Sequence, residues 1–163
     1  MDITDRKKTE EALRRSEQKY RSLYDNMRDG FAAVNWEGNF VEFNVAFEKM
    51  LGYRSEEIHK LTYEDITPAK WHSIETQIIN DQVLPRNYSD LYEKEYKRQD
   101  GSIFPAELRT YLIREENGNP SGTWSFIRDI SNRKRWEAAL QESESKFRSF
   151  FDLSPQAAAR IHF

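Results

Sequence analysis

The chain has no cysteine among its 163 residues, which removes disulfides, thiolate metal sites and cysteine nucleophiles. It also has no apolar run near the roughly 18 residues a membrane-spanning helix requires, and its N-terminus has no apolar stretch of the secretory type. Membrane contact by this fragment is therefore not expected. A net charge of −3 and a pI near 5.7 offer no basic face to neutralise phosphates, so nucleic acid is not an expected partner. The only histidines are His59, His72 and His162, and none has a second histidine at helical spacing, so no metal site is expected. Phosphate-cradling glycine loops, zinc-type spacings and nucleophile motifs are missing too. These absences point to a binding or interaction module, cytoplasmic in expectation, and away from an enzyme.

What is there is unevenly spread. Charged residues make up 33% of the chain, but they concentrate in residues 5 to 28 and 132 to 148, while the middle holds most β-branched and aromatic residues. The length suits one single-core domain with helical extensions. Asp129-Ile130-Ser131-Asn132-Arg133-Lys134-Arg135 repeats Asp2-Ile3-Thr4-Asp5-Arg6-Lys7-Lys8, 127 residues earlier; over residues 2–27 against 129–154, thirteen of 26 positions are identical. A fixed period of this length marks a domain plus linker, not a solenoid repeat. The expected organisation is a tail of a preceding repeat (1–4), an N-terminal linker helix (5–28), a domain (29–131), a C-terminal linker helix (132–154) and the truncated start of a next repeat (155–163).

Residues 5 to 28 combine good helix formers with an apolar stripe of Leu13, Tyr20, Leu23, Tyr24 and Met27, three of them seven residues apart as in a coiled-coil seam. Turn signals at Glu37-Gly38, Asp100-Gly101 and Asn117-Gly118-Asn119-Pro120 separate strands expected at 30–36, 39–43, 91–98, 102–114 and 122–130. Asn44 and Ser55 cap two short helices, Gly52 closing the first, and Thr67-Pro68 starts a helix to about residue 81, before a polar loop over 82–90. Trp71, Ile74 and Ile78 share one face of that helix. The alternating charges Glu93, Lys94, Glu95 and Lys97 read as a solvated strand face. Two strands, short helices and three more strands predict an α+β fold with an antiparallel sheet.

In their order and spacing, several motifs resemble the PAS domain family over residues 20–131. They are the hairpin ending at Asn44, Phe47-Glu48-Lys49-Met50-Leu51-Gly52-Tyr53, Ile66-Thr67-Pro68, Lys97-Arg98-Gln99-Asp100-Gly101 with Phe104-Pro105, and Asp129-Ile130-Ser131. The resemblance implies a five-stranded antiparallel sheet with short helices over one face, in a tandem array of a bacterial sensor histidine kinase or diguanylate cyclase. It implies a sensory and dimerisation module, with neighbouring repeats and an output domain of the same chain as partners. Two functions remain open: non-covalent binding of a small molecule, or a ligand-free structural relay.

Alternation and resemblance together point Ala32, Val34, Tyr92, Tyr96, Phe104, Leu108, Ser125 and Ile127 inward, with Trp71, Ile74 and Ile78 above them. Such mostly apolar walls with two tyrosine hydroxyls suit a modest, partly polar ligand. Of the cofactors the resemblance brings up, the covalent flavin adduct of one PAS subclass is impossible without cysteine, and haem is not expected: His72 lies at the margin of its helix, and the family's ligand position falls nearer Glu75. Trp124 and Phe126 fall on the outer face, where Tyr20, Leu23 and Tyr24 are expected to cover them, either within one chain or across a homodimer. Asp129 resembles a signal-coupling joint between sheet and outgoing helix.

Overall fold

Five antiparallel strands in the order β2-β1-β5-β4-β3 form the sheet on which the domain is built, so the first and last segments of the domain meet at its centre. The computed structural model describes the backbone of residues 3–25 and 27–153 and the side chains of residues 3–23 and 27–150. His162, the Tyr24 side chain and the expected next repeat at 155–163 lie outside the described residues. The strands are β1 (Gly30–Asn35), β2 (Phe40–Phe43), β3 (Tyr92–Lys97), β4 (Ile103–Arg114) and β5 (Pro120–Asp129), each boundary within two residues of its sequence expectation. The chain divides into two compact units after Asp129. The first holds helix α1 (Ile3–Asp25), the sheet and helices α2 to α5; the second holds α6 (Ser131–Leu153). Helix α1 ends at Asp25, short of the expected residue 28, and its described side chains are exposed.

Between β2 and β3 the chain crosses one face of the sheet in short helices. Asn44 opens α2 (Val45–Leu51) from an extended backbone: its Oδ1 accepts from the Phe47 amide at 3.0 Å and from the Phe31 amide at 2.9 Å, and its Nδ2 donates to the Asp29 carbonyl at 3.0 Å. One buried side chain thus caps a helix and fixes the start of β1. Gly52 closes α2 at φ 77°, a left-handed conformation that disfavours a Cβ. Removing all three bonds in Asn44→Ala is expected to cost about 2 kcal/mol in urea unfolding, because the amides it leaves are buried. A loss below about 0.5 kcal/mol would show that water replaces the cap.

Helix α3 (Ser55–Ile58) and a 3₁₀ turn (Tyr63–Ile66) follow, driving Ile58 and Ile66 into a core with Phe40, Phe47, Leu51 and Phe104. The expected single helix from Pro68 to 81 is a compound one. It runs as a 3₁₀ turn (Ala69–Trp71), α4 (His72–Ile78), a π segment (Ile79–Val83) and α5 (Leu84–Arg86), where a polar loop was expected from residue 82. Pro85 does not break the run: it sits in the first turn of α5, where a missing N–H costs little, and the π segment widens the preceding turn. Asn87 ends the run at φ 78°. Val83, fully buried, ties the π segment to the domain interior.

Candidate ligand-binding site

Period-2 alternation in β3 sends Tyr92, Lys94 and Tyr96 to the same face, and that face is the inner one. Lys94 is 2% exposed, which corrects the expectation of a solvated charged face over Glu93, Lys94, Glu95 and Lys97. A lysine this deep requires a partner, since an unpaired buried charge is prohibitively costly. The partner is Glu75 of α4, 7% exposed, whose Oε1 contacts the Lys94 ammonium. Lys94 Nζ also donates to the Thr67 hydroxyl at 2.9 Å and stands 4.1 Å from the centre of the Tyr96 ring. The Thr67 side chain thus serves the lysine and not the helix that follows, whose first turn has Pro68 at its N-cap and no side-chain cap.

From Glu75 a line of hydroxyls crosses the sheet. Tyr92 donates to Glu75 Oε2 at 2.9 Å, Tyr92 and Thr110 meet at 3.0 Å, and Thr110 and Ser125 at 2.9 Å. Strands β3, β4 and β5 supply one member each: Tyr92 pairs with Leu108, two residues before Thr110 on the same face of β4, and Thr110 pairs with Ser125. Beside this line lies a cavity of about 250 Å³. Ala32, Phe47, Leu108 and Ile127 give it apolar walls; Glu75, Lys94, Thr110, Thr123 and Ser125 give it polar ones. Its rim includes the β1–β2 turn at Asn35–Gly38 and the segment Thr62–Glu64. The Tyr63 amide donates to the Gly38 carbonyl at 2.8 Å, fastening these two rim segments to each other.

Burial dominates the ionisation of the site. It pushes Tyr92 and Tyr96 well above the ordinary tyrosine value and Tyr63 up to about 12, with the Glu75 carboxylate adding in the same direction. Burial pushes the Lys94 ammonium down, and Glu75 offsets part of that. A tyrosine whose folded-state pKa is raised contributes stability that is complete below the unfolded value near 10 and is lost as pH rises toward the folded value. Lys94, its folded value lowered from 10.5, acts oppositely but only below about pH 10.5, so above that the three tyrosines alone set the slope. Thermal melts should therefore show stability falling from about pH 10 upward; a flat profile to pH 12 would mean the tyrosines are not buried.

Seven of the eleven residues expected to line a pocket border this cavity: Ala32, Val34, Tyr92, Tyr96, Leu108, Ser125 and Ile127. Phe104 is inward but packs in the core beneath it, its ring 5.8 Å from that of Tyr96. The helical face was misassigned. Ile74 is 44% exposed, Ile78 is half-buried off the cavity, and the half-buried Trp71 turns its Nε1 outward to Glu95 Oε1 at 3.1 Å. Glu75 and Ile79 occupy the inward face instead, rotated by about 100° from the expected stripe.

A model of the PAS fold matches residues 18–130 of this chain. The chain belongs to the PAS fold family. Its relatives include the methyl sulfide methyltransferase-associated sensor of Methanosarcina acetivorans, 28% identical over 93% of this chain and 15% of the relative, and the Escherichia coli protein named probable diguanylate cyclase DgcE, 28% identical over 78% of this chain and 12% of the relative. The chain therefore spans about an eighth to a seventh of these relatives' length. The PAS domain of a Colwellia psychrerythraea protein superposes with a TM-score of 0.64 at 19% identity, covering 71% of this chain and 97% of that one.

Elsewhere on this PAS domain, His72 lies off the cavity with Nε2 2.9 Å from the Thr67 carbonyl oxygen, and no group of three or more metal-ligating residues occurs among the described residues. No described helix is long and apolar enough to cross a membrane. On the outer sheet face Trp124 stacks on Tyr111 at 4.2 Å and meets Phe126 edge-on at 5.2 Å, with Phe126 40% exposed. Tyr20 and Leu23 of α1 are more than 60% exposed. Asp129, at the end of β5, accepts from Arg98 at 3.3 Å; Arg98 also donates to the Met50 carbonyl and lies over the Phe104 ring.

Proposed function

We propose that this PAS domain is a sensory module that binds one small molecule non-covalently in the cavity between the sheet and α4. The observation that supports it most is the buried Lys94–Glu75 pair with its hydroxyl line beside open volume. A core meant only to be filled would be cheaper in apolar side chains, because desolvating two charges offsets most of their attraction. An ion pair bordering a cavity is instead what orients a ligand's polar groups. The module passes occupancy through Asp129, held by the Arg98 bridge, and the linker helices to a downstream histidine kinase or diguanylate cyclase. It pairs with a second copy through the outer-face aromatics Trp124 and Phe126 and α1 residues Tyr20, Leu23 and Tyr24.

Native mass spectrometry of freshly purified domain tests the sensing reading. The expected spectrum carries a non-covalent adduct of one small molecule, absent from Ala32→Leu, which fills the cavity from β1. A bare chain in both would favour the ligand-free relay. Light scattering tests the pairing: a dimer at micromolar concentration, weakened at least tenfold by Trp124→Ala, is expected, and a monomer unchanged by that substitution would count against it.

A further inference from the structure

The hydroxyl line has only one self-consistent arrangement of protons. Glu75, as the charged partner of Lys94, only accepts, so Tyr92 gives its single proton to Oε2. Tyr92 oxygen must then accept from Thr110, and Thr110, its proton spent, must accept from Ser125. Every hydroxyl proton in the line points toward Glu75. Ser125 Oγ, the far end, has only lone pairs left for the cavity it borders.

The lysine changes nothing in this balance. Its three donors are engaged by Glu75, by the Thr67 hydroxyl and by the face of the Tyr96 ring, so Lys94, the one cation among the described cavity-lining residues, has no donor to spare. Two further cavity-lining hydroxyls, those of Thr123 and Tyr96, each only 6% exposed, have no hydrogen-bond partner among the described residues. Either can donate or accept. A buried hydroxyl left without a partner is unfavourable, and a ligand that bonds to it removes that cost.

We propose that the occupant of this cavity is a small hydrogen-bond donor, an alcohol or an amine, and that carboxylates are rejected even though a lysine lies in the wall. The proposal rests on the sensing reading above and narrows it. A hydroxyl or ammonium donates to Ser125 Oγ and, where it reaches, to Glu75, while Thr123 completes an alcohol's acceptor side. A carboxylate could accept only from the neutral hydroxyls of Thr123 and Tyr96, would face the lone pairs of Ser125 and the charge of Glu75, and could gain Lys94 only by breaking an existing bond. An engineered cavity of about 150 Å³ accepts benzene, so one of about 250 Å³ takes a molecule of about eight to ten heavy atoms.

Benzyl alcohol, benzylamine and benzoate are matched probes of that size. Titrated into ¹⁵N-labelled domain at pH 7, the alcohol and the amine are expected to shift the amides of Thr123, Ser125 and Ile127 and to bind at least about tenfold more tightly than benzoate. Ser125→Ala should weaken benzyl alcohol about tenfold and leave benzoate unchanged; Thr123→Val provides the second variant should Ser125→Ala lose its native spectrum. Benzoate binding as tightly as the alcohol would overturn the donor preference and leave the sensing reading standing. Shifts at these amides from none of the three probes would overturn both.

Discussion

Glu75→Leu lowers the stability of the domain by about 3–5 kcal/mol, because it strands the Lys94 ammonium in a site only 2% exposed. Lys94→Met costs a similar amount, leaving the carboxylate with the Tyr92 hydroxyl alone. The double substitution Glu75→Leu with Lys94→Met, similar in volume and without charge, returns to within about 1 kcal/mol of the starting stability or exceeds it. Guanidinium unfolding of the four proteins checks this as a double-mutant cycle. Single variants that each cost under about 1 kcal/mol would mean that water reaches the pair. The expected pattern also separates the pair's two roles: a chain that loses nothing when both charges go does not keep them for stability.

Gly122→Ala is expected to cost at least about 3 kcal/mol, at or beyond the upper end for an overpacked core. The added Cβ would stand 2.1 Å from the Val34 carbonyl oxygen and 3.0 Å from the Asn35 Cα. Both are backbone atoms of β1, and Gly122 pairs with Asn35 on one side and Ile113 on the other, so neither can swing aside. Strand β1 must part from β5 at its end, where Asn35 to Gly38 forms the cavity rim. Loss of the NOEs between Asn35 and Gly122, with those between Gly30 and Ile127 kept, would locate the break. A variant with unchanged stability and NOEs would show that the two strands lie farther apart at this point.

The sheet was legible because its signals were local and agreed with one another. Glu37-Gly38 and Asp100-Gly101 each place a glycine at positive φ between alternating strands, and Asn44 both ends a hairpin and caps a helix. The polar half of the site was legible in part. Once Tyr92 and Tyr96 are assigned inward, strict alternation puts Lys94 between them, but four charged residues in a row of six masked the period. Its partner was harder to find. Trp71, Ile74 and Ile78 form an apolar stripe that hydrophobicity alone sends inward, yet Trp71 has an indole N–H that Glu95 satisfies at the surface, and a 3₁₀ turn and a π segment on either side of α4 shift the helical phase. The need of a buried ammonium for a carboxylate, which no periodicity expresses, turned Glu75 inward. Thr123 went unnoticed because its position, two residues before Ser125, carries a residue type common on any strand.

Electron density in crystals of freshly purified domain tests the central claim most directly. Glu75 and Lys94 should remain in contact, with density for an organic molecule between the apolar wall of Ala32 and Ile127 and the hydroxyls of Thr123 and Ser125. A core in which Phe47 and Tyr96 close against Ala32 and leave no volume beside the ion pair would contradict it.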